Sequence, residues 1–433
     1  MIGPDPGKQK ERIGVTDSVW KARLNAMGPG LLWAGAAIGV SHLVQSTRAG
    51  ATYGFALVWL VIAANLFKYT AFEFGPRYAA AMGESLLEGY LRVGKWAMIV
   101  FLIMTFGTMF TIQAAVTIVT AGLASKIFGL SSNLLIWSAV LLVICAAILN
   151  MGKYRLLDSL IKLIIIILSI STIAAVLVAM THGSSVASGF VPPVLWSAAG
   201  ISFMVALIGW MPSAIDISVW HSLWTVEKGK VTGTAPQLET SLFDFRVGYF
   251  GTSLLALGFV TLGSLVMYGT GEAFASAGGV FAGQFIQLYT KSLGQWSYLI
   301  VAVAAFTTMF STTLTVTDAF PRVLSRVTEL LFPQKFQPAA NQKLYWIWMF
   351  VVLAGGLTII GVFLSGMTLL VDIATTLSFL TAPVLAYINY RAVTGEWMPA
   401  GTRPGLGLRR LNFVSLLFLT GFALFFLIWR FFI

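Results

Sequence analysis

Charge is what this 433-residue chain has least of: only 10% of its residues are Asp, Glu, Lys or Arg, against roughly a quarter in soluble domains. With 58% of its residues hydrophobic, a water-soluble fold would have too little polar surface to cover itself. Cysteine is nearly missing. The single Cys145 sits inside an apolar run, which excludes an internal disulfide and leaves the redox compartment unmarked. No phosphate-binding glycine loop, catalytic triad or metal-hydrolase spacing occurs, so neither an enzyme nor a cofactor is expected. The net charge of +11 would suit nucleic acid, but the placement of the charges argues against that partner.

What the chain has instead is a succession of apolar runs of about 20 residues, each enough to cross a bilayer as helix. Hydropathy predicts an all-α, polytopic membrane protein with eleven spans near 28–50, 54–80, 96–124, 132–151, 155–180, 195–222, 245–270, 296–320, 344–364, 367–390 and 410–432. Segment 272–292 reads as an amphipathic helix lying outside the membrane between the seventh and eighth spans. The first run begins only at about Leu24, after Lys8, Lys10, Arg12, Lys21 and Arg23, and continues through Gly28-Pro-Gly30 into a full span. That pattern does not fit a cleavable signal peptide, so residues 1–27 are expected to stay as a cytoplasmic tail.

The basic residues fix an orientation. Of the 27 Lys and Arg, 21 fall in the tail and alternate loops, four (Arg48, Lys126, Lys291 and Arg430) fall on the other side, and Lys68 and Lys162 lie within spans. This bias places the N-terminus in the cytoplasm and the C-terminus outside the plasma (inner) membrane.

Two spans carry irregular sequence at mid-depth, where backbone polar groups are tolerated only if buried in protein or lining a cavity. The first contains Gly39-Val40-Ser41-His42, and the sixth contains Gly209-Trp210-Met211-Pro212-Ser213 followed by Asp216. Gly39 permits unusual backbone conformations, and Pro212 lacks the N–H that an unbroken helix needs. Ser213 and Asp216 have the form of a capping box restarting the helix, and Ser41 is placed to cap the outer half of the first span. Breaks in spans one and six occupy equivalent positions of two five-helix halves with opposite topology, the arrangement of inverted-repeat transporters. Residues 28–180 would form the first repeat and 195–390 the second, with 410–433 an eleventh helix outside them.

These residues resemble the Nramp family of proton-coupled divalent-metal transporters. The likeness rests on Gly28-Pro-Gly30, on Arg48-Ala-Gly-Ala-Thr-Tyr-Gly54 with Leu57-Val-Trp-Leu-Val-Ile-Ala-Ala-Asn65, and on Met211-Pro212. It implies a LeuT-type 5+5 inverted repeat with helices 1 and 6 broken. It also marks a departure. Where the family has Asp-Pro-Gly-Asn in its first helix, this chain has Gly39, Val40, Ser41 and His42, and the family's Met-Pro-His is Met211, Pro212 and Ser213 here. The family's third-helix acidic residues fall in Thr111-Ile-Gln-Ala-Ala-Val116, which holds no carboxylate.

A divalent cation at mid-membrane needs compensating negative charge, and the breaks provide none unless Asp216 turns in. No metal is therefore expected; if one bound, His42 and Met211 would be its ligands. Half-helices restarting at the breaks point N-terminal N–H groups into the gap, which favours anions, while the C-terminal carbonyls of the halves that end there oppose that field and leave the sign of the site open. The substrate expected is a small anion, such as bicarbonate or a short carboxylate, or a small polar solute, carried with H+ or Na+ by a monomeric transport unit. A divalent-cation transporter with altered selectivity and a non-transporting membrane sensor are the alternatives. The expected binding residues are Gly39, Val40, Ser41, His42, Gly209, Met211 and Ser213. His42 has two readings, a titrating group that couples transport to protons and a neutral ring hydrogen-bonded within the bundle. Coupling or gating falls to Asp216, Asp372, Arg48, Glu73 and Lys68. Lys68, Glu73 and Arg77 are expected to pair locally within the second span, Asp158 with Lys162 in the fifth, and Asp318 and Arg322 to cap or gate. Asp372 has no basic partner nearby in sequence.

Overall fold

A computed structural model describes residues 28–432 except 130, 152–153, 183–186 and 335–340, without the side chains of 154–165, 182 and 341. The N-terminal tail and the Asp158–Lys162 pair lie outside the described residues. The described chain is helical almost throughout, and each expected span coincides with one helix or a broken pair. Among the described residues, seven helices are long and apolar enough to cross a membrane, and Leu134–Asn150, Ile166–Thr181 and Ala198–Trp210 are shorter apolar helices.

The first segment is α1 (Pro29–Ala37), a π-helical turn (Ser41–Ser46) and α2 (Thr47–Tyr53). Proline at the first helical position suits α1 because its missing N–H would be unpaired there anyway. The carboxylate of Asp244 accepts from the backbone N–H of Gly28 (3.1 Å) and Gly30 (2.8 Å), capping α1 from a distant helix. Next come α3 (Val58–Met82), the short α4 (Leu86–Val93), α5 (Lys95–Phe128), α6 (Leu134–Asn150) and α7 (Tyr154–His182). Hydropathy gave no sign of α4, which is too short and too polar to register. The sixth segment is α8 (Ala198–Trp210) and α9 (Ile217–Thr232), followed by α10 (Leu238–Val266). The amphipathic segment is helix α11 (Gly278–Leu293), whose Phe281, Phe285 and Tyr289 are buried. The chain closes with α12 (Tyr298–Leu331), α13 (Asn341–Val362), α14 (Met367–Thr394) and α15 (Leu406–Phe432).

Glycine sets how closely the broken segments are held. A Cβ at Gly50 of α2 would lie 2.0 Å from the carbonyl oxygen of Val260 on α10, and one at Gly209 of α8 would lie 1.9 Å from that of Thr375 on α14. Only a residue without a side chain lets the backbones meet this closely, as small residues do between membrane helices. The second half of the first segment is thereby fixed on α10 and the first half of the sixth on α14. The gap between the two breaks lies at the centre of this frame.

Candidate functional site

Each break follows from its local sequence. α1 ends at Ala37 because Ile38 takes φ −77° and ψ 66°, and Gly39 N–H donates to the Ala37 carbonyl at 2.8 Å, an inverse γ-turn. α8 ends at Trp210 because Pro212 cannot donate, and the residue before a proline is pushed to extended backbone. Met211 accordingly has φ −96° and ψ 114°, and its bond to Pro212 is cis.

Between the breaks lies a cavity of about 30 Å³, space for about two water-sized groups. Its walls include Ala37, Val40 and Ser41 of the first segment, Ser213 and Asp216 of the sixth, and Thr312 of α12. A second cavity of about 10 Å³, toward Thr108, Ser378 and Thr381, also opens on Asp216. Asp216 thus stands between the two. It is buried, and among the described residues no side chain hydrogen-bonds either carboxylate oxygen; the backbone N–H groups of Asp216 and Ile217 lie beside it without well-aligned bonds.

The fold is shared with solved membrane transporters. A family profile described as Natural resistance-associated macrophage protein-like (Nramp) matches residues 30–428 of the chain. The chain belongs to the Nramp family. An uncharacterised protein of Pasteurella multocida is 38% identical over 418 residues, covering 95% of this chain and 94% of its own. Among solved structures, the Eremococcus coleocola manganese transporter, bound to an aromatic bis-isothiourea substituted compound, superposes with a TM-score of 0.67. The two are 14% identical, over 94% of this chain and 87% of the other. MhsT in complex with L-phenylalanine has a TM-score of 0.59 at 12% identity, over 92% of this chain and 98% of its own. The chain therefore has the LeuT-type fold and is a multi-pass membrane transporter.

For an Nramp-family chain, the fate of the expected site residues is informative. Val40, Ser41 and Ser213 line the cavity; Gly39, His42, Gly209 and Met211 are not among its lining residues. His42 is buried with Nε2 3.0 Å from the Thr252 carbonyl on α10. Its Nδ1 is 2.6 Å from the Ser41 hydroxyl and 3.1 Å from the Ala37 carbonyl. That is the bundle-bonded position, turned from the gap.

Two capping expectations fail. Ser41 does not cap the outer half-helix; its hydroxyl lies 2.5 Å from the Ala37 carbonyl, so it serves the end of α1 instead. Ser213 and Asp216 form no capping box, because α9 begins only at Ile217 and Asp216 makes no side-chain cap bond. A box needs its serine immediately before the helix and its acid three residues in. The late restart leaves the acid outside the helix and free to face the cavities.

Lys68 also departs from expectation. It does not pair with Glu73, which instead accepts from Arg77 at 2.6 Å. Its Nζ donates to the carbonyls of Ile208 (2.5 Å), Gly209 (2.8 Å) and Ser213 (3.0 Å). At the end of α8 the Ile208 carbonyl accepts one local bond, from the Met211 N–H at 3.2 Å; a helix end leaves carbonyl acceptors to be satisfied from outside, and the negative end of its dipole favours a cation there. The missed signal was spacing: Lys68 and Glu73 are five apart, whereas facing pairs on a helix are three or four apart.

Asp372 has a partner that sequence distance concealed. Arg48 of α2 donates to both its carboxylate oxygens (2.7 and 3.0 Å), Gln45 adds a third bond at 3.0 Å, and the guanidinium lies 5.1 Å over the Phe203 ring. The contact joins the first, sixth and tenth segments at one end of the bundle. Farther along, Asp318 accepts from Arg322 (2.8 Å) and from the Tyr345 hydroxyl (2.8 Å). On α5, Gln113 donates to Thr117 (3.1 Å) and to Thr317 of α12 (3.2 Å), and Thr120 meets Thr313 at 2.7 Å. A neutral hydrogen-bonded ladder occupies the stretch where the resemblance would lead one to look for carboxylates.

Proposed function

We propose that this Nramp-family transporter carries a small anion, such as bicarbonate or a short carboxylate, or a small polar solute, together with a proton, through the cavity between its two broken segments. The observation that carries this reading is the charge of the gap. The first break contributes no carboxylate, and the one acid of the second, Asp216, is offset by the buried Lys68. A divalent cation would meet no net negative charge to replace its hydration shell. An anion would meet the N-terminal ends of the π-turn and of α9, where the dipole is positive.

Asp216 then has a role in each direction of the cycle. A charged carboxylate buried without hydrogen bonds is costly unless something answers its charge. When the cavity is empty the Lys68 ammonium answers it. When an anion enters, a proton on Asp216 removes the repulsion and supplies a donor to the solute. Solute and proton are bound together and released together, which is symport.

The alternating unit is a monomer built from repeats 28–180 and 195–390, with 410–433 outside them. It sits in the inner membrane with its N-terminus in the cytoplasm. The Arg48–Asp372 pair closes the outer side over the cavity. A second reading, transport of a divalent metal cation, has one observation in its favour, the unpartnered carboxylate of Asp216.

A Ser213→Cys variant reports on this arrangement, since the native cysteine, Cys145, is buried. Its alkylation from outside should be slowed by saturating bicarbonate or formate. Adding Arg48→Ala should speed it by about tenfold or more, because hydrogen bonds to charged groups contribute about 1.5–3 kcal/mol. Equal rates with and without Arg48 would remove the pair from the gate.

A further inference from the structure

Lys68 is fully buried on α3, and all three of its ammonium donors are used: the carbonyl oxygens of Ile208, Gly209 and Ser213 surround Nζ at 2.5, 2.8 and 3.0 Å. Three acceptors match three donors only if the nitrogen is an ammonium, since a neutral amine would turn its lone pair toward a carbonyl oxygen. The oxygens come from both sides of the Met211–Pro212 interruption, so the cage exists because the helix is broken. Carbonyls freed by a broken membrane helix are the kind of ligand that holds a monovalent coupling ion in transporters of this architecture. The nearby charge that answers this cation is the Asp216 carboxylate.

We propose that the carbonyl cage at the sixth-segment break is a monovalent-cation site occupied by the chain's own Lys68 ammonium, so that no free alkali ion binds there. The ammonium does the structural work of such an ion: it ties the end of α8 to Ser213 in the link that leads into α9 and supplies positive charge beside the solute cavity. It differs from a free ion in one respect, that it cannot leave. Transport cannot then be driven by release of sodium from this place. The inference deepens the proton-coupled reading given above and rests on it for its meaning in transport, but the occupancy of the cage is a separate matter that needs no solute to test.

Purified protein in detergent provides that test through its thermal unfolding midpoint. Salts are compared at constant ionic strength: sodium, potassium and methylammonium chloride against N-methyl-D-glucamine chloride, whose cation is too large for the cage. Wild-type protein should give the same midpoint in all four. Lys68→Ala should unfold at a lower midpoint in N-methyl-D-glucamine and be restored, saturably, by at least one of the small cations. A folded Lys68→Ala protein indifferent to the cation would overturn the proposal, as would saturable sodium stabilisation of the wild type. If Lys68→Ala does not fold in any salt, Lys68→Arg, which keeps a tethered cation, decides together with the wild type. A folded, cation-indifferent Lys68→Arg supports the tethered ion, and a sodium-stabilised one overturns it. None of these readings depends on which solute is carried, so the failure of the solute proposal would leave the outcome intact.

Discussion

Asp216→Asn is expected to abolish concentrative uptake while leaving solute exchange largely intact. The amide keeps the size of the side chain and, like a protonated carboxyl, has a donor to offer an anion in the cavity. It cannot give up a proton, so the step that couples solute to the proton gradient is lost. Net uptake against a gradient in proteoliposomes should fall by at least about 100-fold, the equivalent of roughly 2.8 kcal/mol. Counterflow of labelled solute should stay within about threefold of wild type, since the bound-state contacts are kept. The variant also leaves Lys68 without its answering carboxylate. Some loss of stability is therefore expected, smaller than the roughly 3–5 kcal/mol seen when a directly paired buried charge is stripped of its partner, because the three carbonyls remain. Equal loss of uptake and counterflow would make Asp216 a ligand alone and not the carrier of the proton.

Gly39→Asp should have an effect of similar size and opposite logic. It returns a carboxylate to the first break, at the position where the family resemblance places one. A side chain there meets Thr312, whose Oγ1 and Cγ2 would each lie 2.8 Å from the new Cβ. The variant is therefore best made together with Thr312→Ala, which removes both atoms. At an effective dielectric constant of 20, two unit charges of one sign roughly 6 Å apart repel by about 3 kcal/mol. A repulsion of that order between the new carboxylate and an entering anion should weaken anion binding on the order of 100-fold. Titration calorimetry with Mn2+ should then show a heat with the double variant that the wild type lacks. If anion uptake were unchanged by a new carboxylate at Gly39, the cavity between the breaks would not be the site.

The fold was largely legible because the bilayer restricts what a chain can do. Apolar runs and the positions of Gly39 and Pro212 answer to the cost of placing polar groups and broken backbone in hydrocarbon. Local chemistry was less legible because its partners are distant in sequence. Asp372 looked unpaired until the fold brought Arg48 to it, 324 residues away. The sequence neighbours of Lys68 on α3 do not reveal its partner, because the need it fills arises 140 residues later at the end of α8. The cap expected at Ser213 and Asp216 is absent for a finer reason. The serine and acid spacing of a capping box was present, but α9 restarts beyond it, and a three-residue delay turns a cap into a group that faces the cavity. His42 had two readings from sequence, and the ring is in the position of the bundle-bonded one, on Thr252, Ser41 and Ala37.

The sign of the charge that the wild-type protein carries is the most direct test of this account. Proteoliposomes containing purified protein, with an inward proton gradient, are offered radiolabelled bicarbonate, formate or acetate in one set and Mn2+ in a parallel set. The account predicts saturable, gradient-driven entry of at least one of the anions, lost in Asp216→Asn, and no Mn2+ entry above protein-free vesicles. Saturable Mn2+ entry that Asp216→Asn removes, with no anion carried, would contradict it and assign Asp216 to a metal.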